Sequence, residues 1–218
     1  FEEMGLEAWL DRELAKPASN DDLKRRLSAA KLLIEYEADR DDNNHSWPAR
    51  KEVNPHQYLE TSAESLLPLI DYDKHGMSYE ERIRPAREVQ AASLIRAVHA
   101  DAQLREVMTQ FWHDHFNVNS MRDERTAAYF SHYDKLMRDN AFGNFRTLLG
   151  GMAKSPSMLF YLNNEASRAS PANENFAREL FELHTLGAVN YLNDKTTNWS
   201  NVPGAKDGLA HGYIDQDV

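Results

Sequence analysis

Pro171–Gly187, PANENFARELFELHTLG, places three glutamates, an arginine and a histidine in about four turns of one predicted helix. Ser170 or Asn173 supplies an N-cap, Pro171 suits a first helical position, and Gly187 suits the stop. At helical spacing His184 falls with Ala177, Leu180 and Phe181, while Glu174, Arg178 and Glu182 follow one another at i, i+4 on the opposite face. Glu179 sits at the border beside Leu183 and Leu186. An exposed ladder of this kind stabilises a helix by only about 0.2–0.5 kcal/mol per pair. Covered by another helix, the same face would be a buried clasp in which Arg178 neutralises Glu174 and Glu182. A third reading gathers Glu179 or Glu182 with His115 and His184 into a carboxylate–histidine metal centre. The helix lacks the Glu-x-x-His spacing that bundles use for such centres.

Outward from this helix the chain reads as helical nearly throughout. Gly5–Lys16 sets Leu6, Trp9, Leu10 and Leu14 at helical spacing, and Ser19 or Asn20 caps a second helix running through DDLKRRLSAAKLLIEYEAD. Residues 40–57 form a polar, proline-broken loop. After a short apolar run at Leu66–Ile70, Pro85 opens a helix to about His99, and Asp101 caps another reaching Phe116. Further helices are predicted at Glu124–Met137, Phe142–Met152, Ser157–Leu162 and Asn173–Leu186, and residues 190–218 form an irregular tail. No sustained period-2 alternation occurs. The predicted fold is all-α, an irregular multi-helix bundle with long polar loops and no significant sheet, in a single helical domain over residues 1–218.

Composition narrows the function. With 25 Lys+Arg against 35 Asp+Glu the formal charge is −10, which disfavours nucleic acid and anionic lipid as general partners. No apolar run is long enough to serve as a transmembrane segment. There is no cysteine, so disulfides, thiolate zinc sites and cysteine nucleophiles are excluded. The chain opens at Phe1 with no leader pattern, as expected of a mature or trimmed product.

Two other stretches carry candidate chemistry. In FWHDHF (Phe111–Phe116), His115 shares a predicted face with Leu104, Val107, Met108 and Phe111, so it is the inward histidine and His113 the surface one. His115 is then a core histidine bonded to a carbonyl or carboxylate, or a metal ligand. In DYDKHGMSYEE, Asp71, Asp73 and Gly76 occupy the first, third and sixth places of a calcium loop, but Arg82 stands where a bidentate glutamate belongs. A turn with capping acids fits that stretch better. Phosphate-loop, GxSxG and HExxH patterns are absent from the sequence.

FWHDHFNV, the run GNFRTLLGG, PSMLFYLNN and PANENFARELFELHTLG together resemble a bacterial domain-of-unknown-function family numbered eighteen hundred, whose pattern is similar to "FWHNHF … GNFR-LL … P-ML-YL-N … P-NEN-ARE-LEL-TLG". The matching positions are Trp112, His113, His115, Asn144, Arg146, Asn173, Glu174, Arg178, Glu179 and Glu182. The amino-terminal GLEAWLDREL resembles the family's opening, and the position of His184 is often phenylalanine in the pattern. The resemblance implies a mostly helical protein that is exported, in the bacterial periplasm, envelope or medium, and it implies no reaction. Family members continue past the "TLG" helix, so a carboxy-terminal half beyond Val218 is expected, and that half or another protein is the expected partner. Two functions follow. One is a binding or assembly module clasped by Glu174, Arg178 and Glu182, with no cofactor assigned. The other is a metal-dependent hydrolase or oxidoreductase holding a divalent metal with His115 and Glu179 or Glu182.

Overall fold

A computed structural model describes residues 4–71, 76–169 and 172–215. The chain is mostly helical, and its contacts divide it into two compact units. The first comprises residues 1–114 and 118–161, the second residues 115–117 and 162–218. Among the described residues no helix is long and apolar enough to cross a membrane.

The first unit opens with helices α1 (Leu6–Leu14) and α2 (Asp21–Ala29). Asn20 caps α2, its side-chain oxygen accepting from Leu23 N at 2.8 Å. The predicted second helix ends earlier than expected, because KLLIEY folds as strand β1 (Lys31–Tyr36). It alternates faces: Ile34 is buried and Leu32 and Tyr36 are half-buried, while Lys31, Leu33 and Glu35 are exposed. A short ladder of β2 (Asp39–Arg40) with β3 (Ser46–Trp47) follows, and β4 (Arg50–Pro55) pairs antiparallel with β1 from Lys31↔Pro55 to Tyr36↔Arg50. The expected loop over 40–57 is thus half of a β-ribbon. Its tip is closed by Asp41, whose carboxylate accepts from His45 N, with Asn44 at φ 65°.

Short helices α3 (Leu67–Ile70) and α4 (Tyr79–Arg82) lead into the long α5 (Arg84–His99), and α6 (Gln103–Phe116) follows. The expected helix over 124–137 is broken at Tyr129 into α7 (Glu124–Ala128) and α8 (Phe130–Asp139), and α9 (Phe145–Lys154) and α10 (Pro156–Tyr161) complete the unit. The core is apolar where these meet: Ile83, Ala86 and Ala92 precede or lie on α5, Tyr133 and Met137 on α8, and Met152 and Met158 on α9 and α10, all fully buried.

The buried ionic clasp of this unit lies elsewhere than predicted. Arg84 and Glu88, at i, i+4 on α5, are 2% and 0% exposed and meet at 2.8 Å. Glu88 also accepts from the backbone N–H groups of Gln57 and Tyr58, and Arg84 donates to the Pro55 carbonyl. Glu88 is hydrogen-bonded at both oxygens and Arg84 Nη1 lies 3.7 Å from Glu81, so the buried charges are mutually compensated and tie the β-ribbon's exit to α5.

Candidate functional site

The face of α6 expected to turn inward does so only in part: Leu104, Met108 and His115 are half-buried. Val107 and Phe111 are 62% and 51% exposed, whereas His113, taken from sequence as the surface histidine, is only 16% exposed at its side chain. The reason is that α6 meets α8 through polar groups. On α8, Ser131, Asp134, Lys135 and Arg138 fall at i, i+3, i+4 and i+7 and share one face. Arg138 Nε donates to Asp134 at 2.8 Å and its Nη1 to Glu106 at 2.6 Å. His113 Nε2 reaches the other Asp134 oxygen at 3.1 Å, and Arg96 Nη1 lies 3.6 Å from Asp134. Arg105 Nη1 donates to the Arg138 carbonyl at 3.0 Å.

Burial acts on these groups in opposite directions. It pushes the Asp134 carboxyl up, but the His113 hydrogen bond and the charge of Arg138 outweigh it and hold the group below the usual carboxylate range. Burial and the neighbouring Arg138 lower Arg96, with Asp134 only partly offsetting them. Asp134 is therefore an ionised anchor, and Arg96 is a cation held at a cost.

These groups line a cleft of about 350 Å³ between α2, the 59–60 segment, α5, α6 and α8. Leu23, Leu27, Leu59 and Val89 supply apolar wall, and Lys24, Glu60, Lys135 and Asp139 complete the charged lining. Three buried polar atoms of the lining have no hydrogen-bond partner among the described residues: Arg96 Nη1, Arg105 Nε and Ser131 Oγ. A hollow of about 270 Å³, lined by His56, shares Lys24, Leu27, Leu59, Glu60 and Arg96 with the cleft. Both ring nitrogens of His56 are likewise buried without a partner, and burial lowers its pKa.

Within the second unit the motif helix begins at Asn175. The Asn173 side chain accepts from Asn175 N at 3.0 Å and donates to the Asn163 carbonyl at 2.7 Å; Ser170 and Pro171 lie outside the described residues. The helix is α only over Asn175–Glu179 and then widens into a π-helical turn over Leu180–Thr185. Leu186 N and Gly187 N both donate to the Phe181 carbonyl, and Gly187 takes φ 87°. His184 nevertheless lies buried, as its helical spacing with Ala177, Leu180 and Phe181 predicts.

The clasp expected at Glu174, Arg178 and Glu182 is not buried. Arg178 meets Glu174 at 2.6 Å with side-chain exposures of 49% and 65%, an ordinary solvated i, i+4 pair. Glu182 lines a small hollow of about 150 Å³ with Arg178, Tyr191, Tyr213 and Asp215. There Tyr191 Oη donates to Asp215 at 2.5 Å, and the adjacent carboxylate pushes the phenol up to about 12. The tail lines this hollow with Tyr191, Tyr213 and Asp215, and the Glu174–Arg178 pair stays half-exposed beside it.

His115 and His184 are linked to each other's segments through backbone carbonyl and amide groups. His115 Nε2 donates to the His184 carbonyl at 3.2 Å, and His184, 3% exposed, hydrogen-bonds the Phe116 backbone. Burial, then the nearby His115, lower the His184 pKa. Among the described residues no three His, Asp or Glu side chains are grouped to hold a metal ion, so His115, Glu179 and Glu182 are not gathered into one centre. In the calcium-like stretch Asp71 ends α3, its N–H donating to the Leu67 carbonyl, and Asp73 lies outside the described residues.

Several motif positions are structural. Asn144 caps α9 by accepting from Thr147 N at 3.2 Å, and Trp112 Nε1 donates to the Ala141 carbonyl at 3.1 Å. The family pattern "Protein of unknown function (DUF1800)" matches residues 1–218. The chain belongs to the DUF1800 family. No curated protein and no solved structure matches it. Sequence reasoning missed Arg96, Arg105, Ser131, Arg138 and His56 in this DUF1800 chain. The polar stripe Arg105, Glu106, Thr109 and His113 along α6 was the available signal, since it runs opposite the exposed Val107 and Phe111.

Proposed function

We infer that this chain is a helical ligand-binding module of an exported or envelope-associated bacterial protein, taking a small molecule in the cleft of its first unit. The observation that carries it is a cleft whose lining residues Arg96, Arg105 and Ser131 each hold a buried polar atom, Nη1, Nε and Oγ, without a partner among the described residues. Buried polar groups are nearly always hydrogen-bonded, and a concave site that leaves several donors uncommitted is shaped to satisfy them with a ligand. Binding is favoured over metal-dependent hydrolysis or redox chemistry because the cleft's two most buried carboxylates, Asp134 and Glu106, are each held by Arg138. A carboxylate so paired is a poor metal ligand and a poor general base. The exported location and a protein partner, whether a further segment or a second protein, rest on the family resemblance.

The test is thermal melting of the whole chain with small molecules spanning anions, cations and neutral compounds, alongside Ala18→Trp, which fills the cleft mouth. Binding in the cleft raises the melting temperature of the natural chain and not of the variant. The reading fails when no compound of any charge raises it, or when the same rise persists in Ala18→Trp.

A further inference from the structure

We propose that the ligand of this cleft is a small molecule with a single carboxylate and an apolar body, its carboxylate seated against Arg96 within reach of Ser131 and Arg105. The inference rests on the binding-module reading and adds the ligand's chemistry. Three guanidinium groups, Arg96, Arg105 and Arg138, face two carboxylates, Glu106 and Asp134, in the inner wall, and the cations exceed the anions by one. The rim adds Lys24 and Lys135 against Glu60 and Asp139 and is balanced. A chain of formal charge −10 thus carries a locally positive cleft.

The surplus resides on Arg96. Arg138 is committed to Asp134 at 2.8 Å and Glu106 at 2.6 Å, and Arg105 to the Arg138 carbonyl and, at 5.0 Å, the face of Phe142. Arg96 Nη1 stands 3.6 Å from Asp134, beyond hydrogen-bond range, with its side chain 13% exposed. Ser131 Oγ, on a residue 4% exposed, is also without a partner among the described residues. An anion with two acceptor oxygens answers both the charge and the open donors, since charge-assisted bonds to guanidinium are about twice as strong as neutral ones. One excess cation matches a monoanion, whereas a doubly charged phosphate would bring uncompensated negative charge beside Asp134 and Glu106. Leu23, Leu27, Leu59 and Val89 supply an apolar wall for the rest of the molecule.

The experiment is calorimetric titration of the whole chain at low salt with 4-methylpentanoate, 4-methylpentanamide and inorganic phosphate. It is repeated with Arg96→Met and Ser131→Ala, each checked for helix content. The expected result is binding of the carboxylate, with the amide at least about tenfold weaker, a tenfold change corresponding to about 1.4 kcal/mol. Arg96→Met loses the carboxylate, and Ser131→Ala weakens it severalfold. Should Arg96→Met fail to fold, the Ser131→Ala and amide results decide. The proposal is overturned if the amide binds as tightly as the carboxylate, if phosphate binds more tightly, if either variant binds as the natural chain does, or if the carboxylate gives no heat at millimolar concentration. A neutral compound blocked by Ala18→Trp, with no carboxylate bound, would overturn the charge class and leave the binding-module reading standing.

Discussion

Arg138→Met removes the one group that serves both carboxylates of the cleft wall while keeping most of the aliphatic volume. Arg138 bonds Asp134 at 2.8 Å and Glu106 at 2.6 Å, and the three side chains are 15%, 6% and 10% exposed. Asp134 retains His113 at 3.1 Å, so the loss falls mainly on Glu106. Removing one partner of a buried pair costs about 3–5 kcal/mol, because the other charge remains desolvated. At about 2–4 °C per kcal/mol for a chain of this size, the melting temperature falls by about 6–20 °C. Urea unfolding followed by far-ultraviolet circular dichroism at pH 7 measures the loss. Lys135→Met is the control: its pair with Asp139 is 60% exposed on both sides and contributes under about 1 kcal/mol. The sign with pH is fixed. Asp134 is held below its ordinary value, so its pairing stabilises fully above about pH 3.9 and is lost as pH falls through the lower native value. The deficit of Arg138→Met therefore shrinks in acid, where an orphaned carboxylate can take up a proton. A loss under about 1 kcal/mol at pH 7 would refute the claim that the network is buried and committed.

Three further outcomes follow. Arg178→Ala changes stability by less than about 0.5 kcal/mol in the same urea assay, because its pair with Glu174 is solvated; a loss above about 3 kcal/mol would restore a buried clasp. Asn144→Ala costs about 1 kcal/mol by removing the cap of α9, and Asn144→Asp restores most of it. His56 and His184 are both held below the ordinary histidine pKa by burial, so the unfolded chain binds more protons below about pH 6.5 and stability declines with acid there, while it is flat above. His184→Phe flattens part of that decline, and an unchanged pH profile in the variant would show that His184 titrates normally.

Helices with strong end signals were legible in the sequence. Asn20 caps α2, and α5 starts within one residue of the predicted Pro85 and ends at the predicted His99, because caps and prolines act locally. KLLIEY continues the helical pattern in sequence because Leu32 and Leu33 are adjacent and apolar, although only alternate residues of the strand face inward. The Asp41–His45 tip was the overlooked turn signal. The site failed to show for a different reason. Arg96, Glu106, Asp134 and Arg138 lie on three helices, each an ordinary charged residue in its own segment, and only packing makes them neighbours. The dense motif drew attention to Glu174 and Arg178 instead, where much of the polarity is solvated or spent on caps such as Asn173. His184 is buried on the face the helical spacing gives it, although the helix widens into a π-helical turn after Glu179.

If Arg96 is a surplus buried cation kept for a ligand, its removal in the ligand-free chain costs no stability. Asp134 keeps Arg138 and His113, while the variant removes a cation that burial and Arg138 disfavour. Urea unfolding at pH 7 is predicted to find Arg96→Met as stable as the natural chain or more so. A loss of about 2 kcal/mol or more would make Arg96 a structural partner of Asp134 and contradict the account.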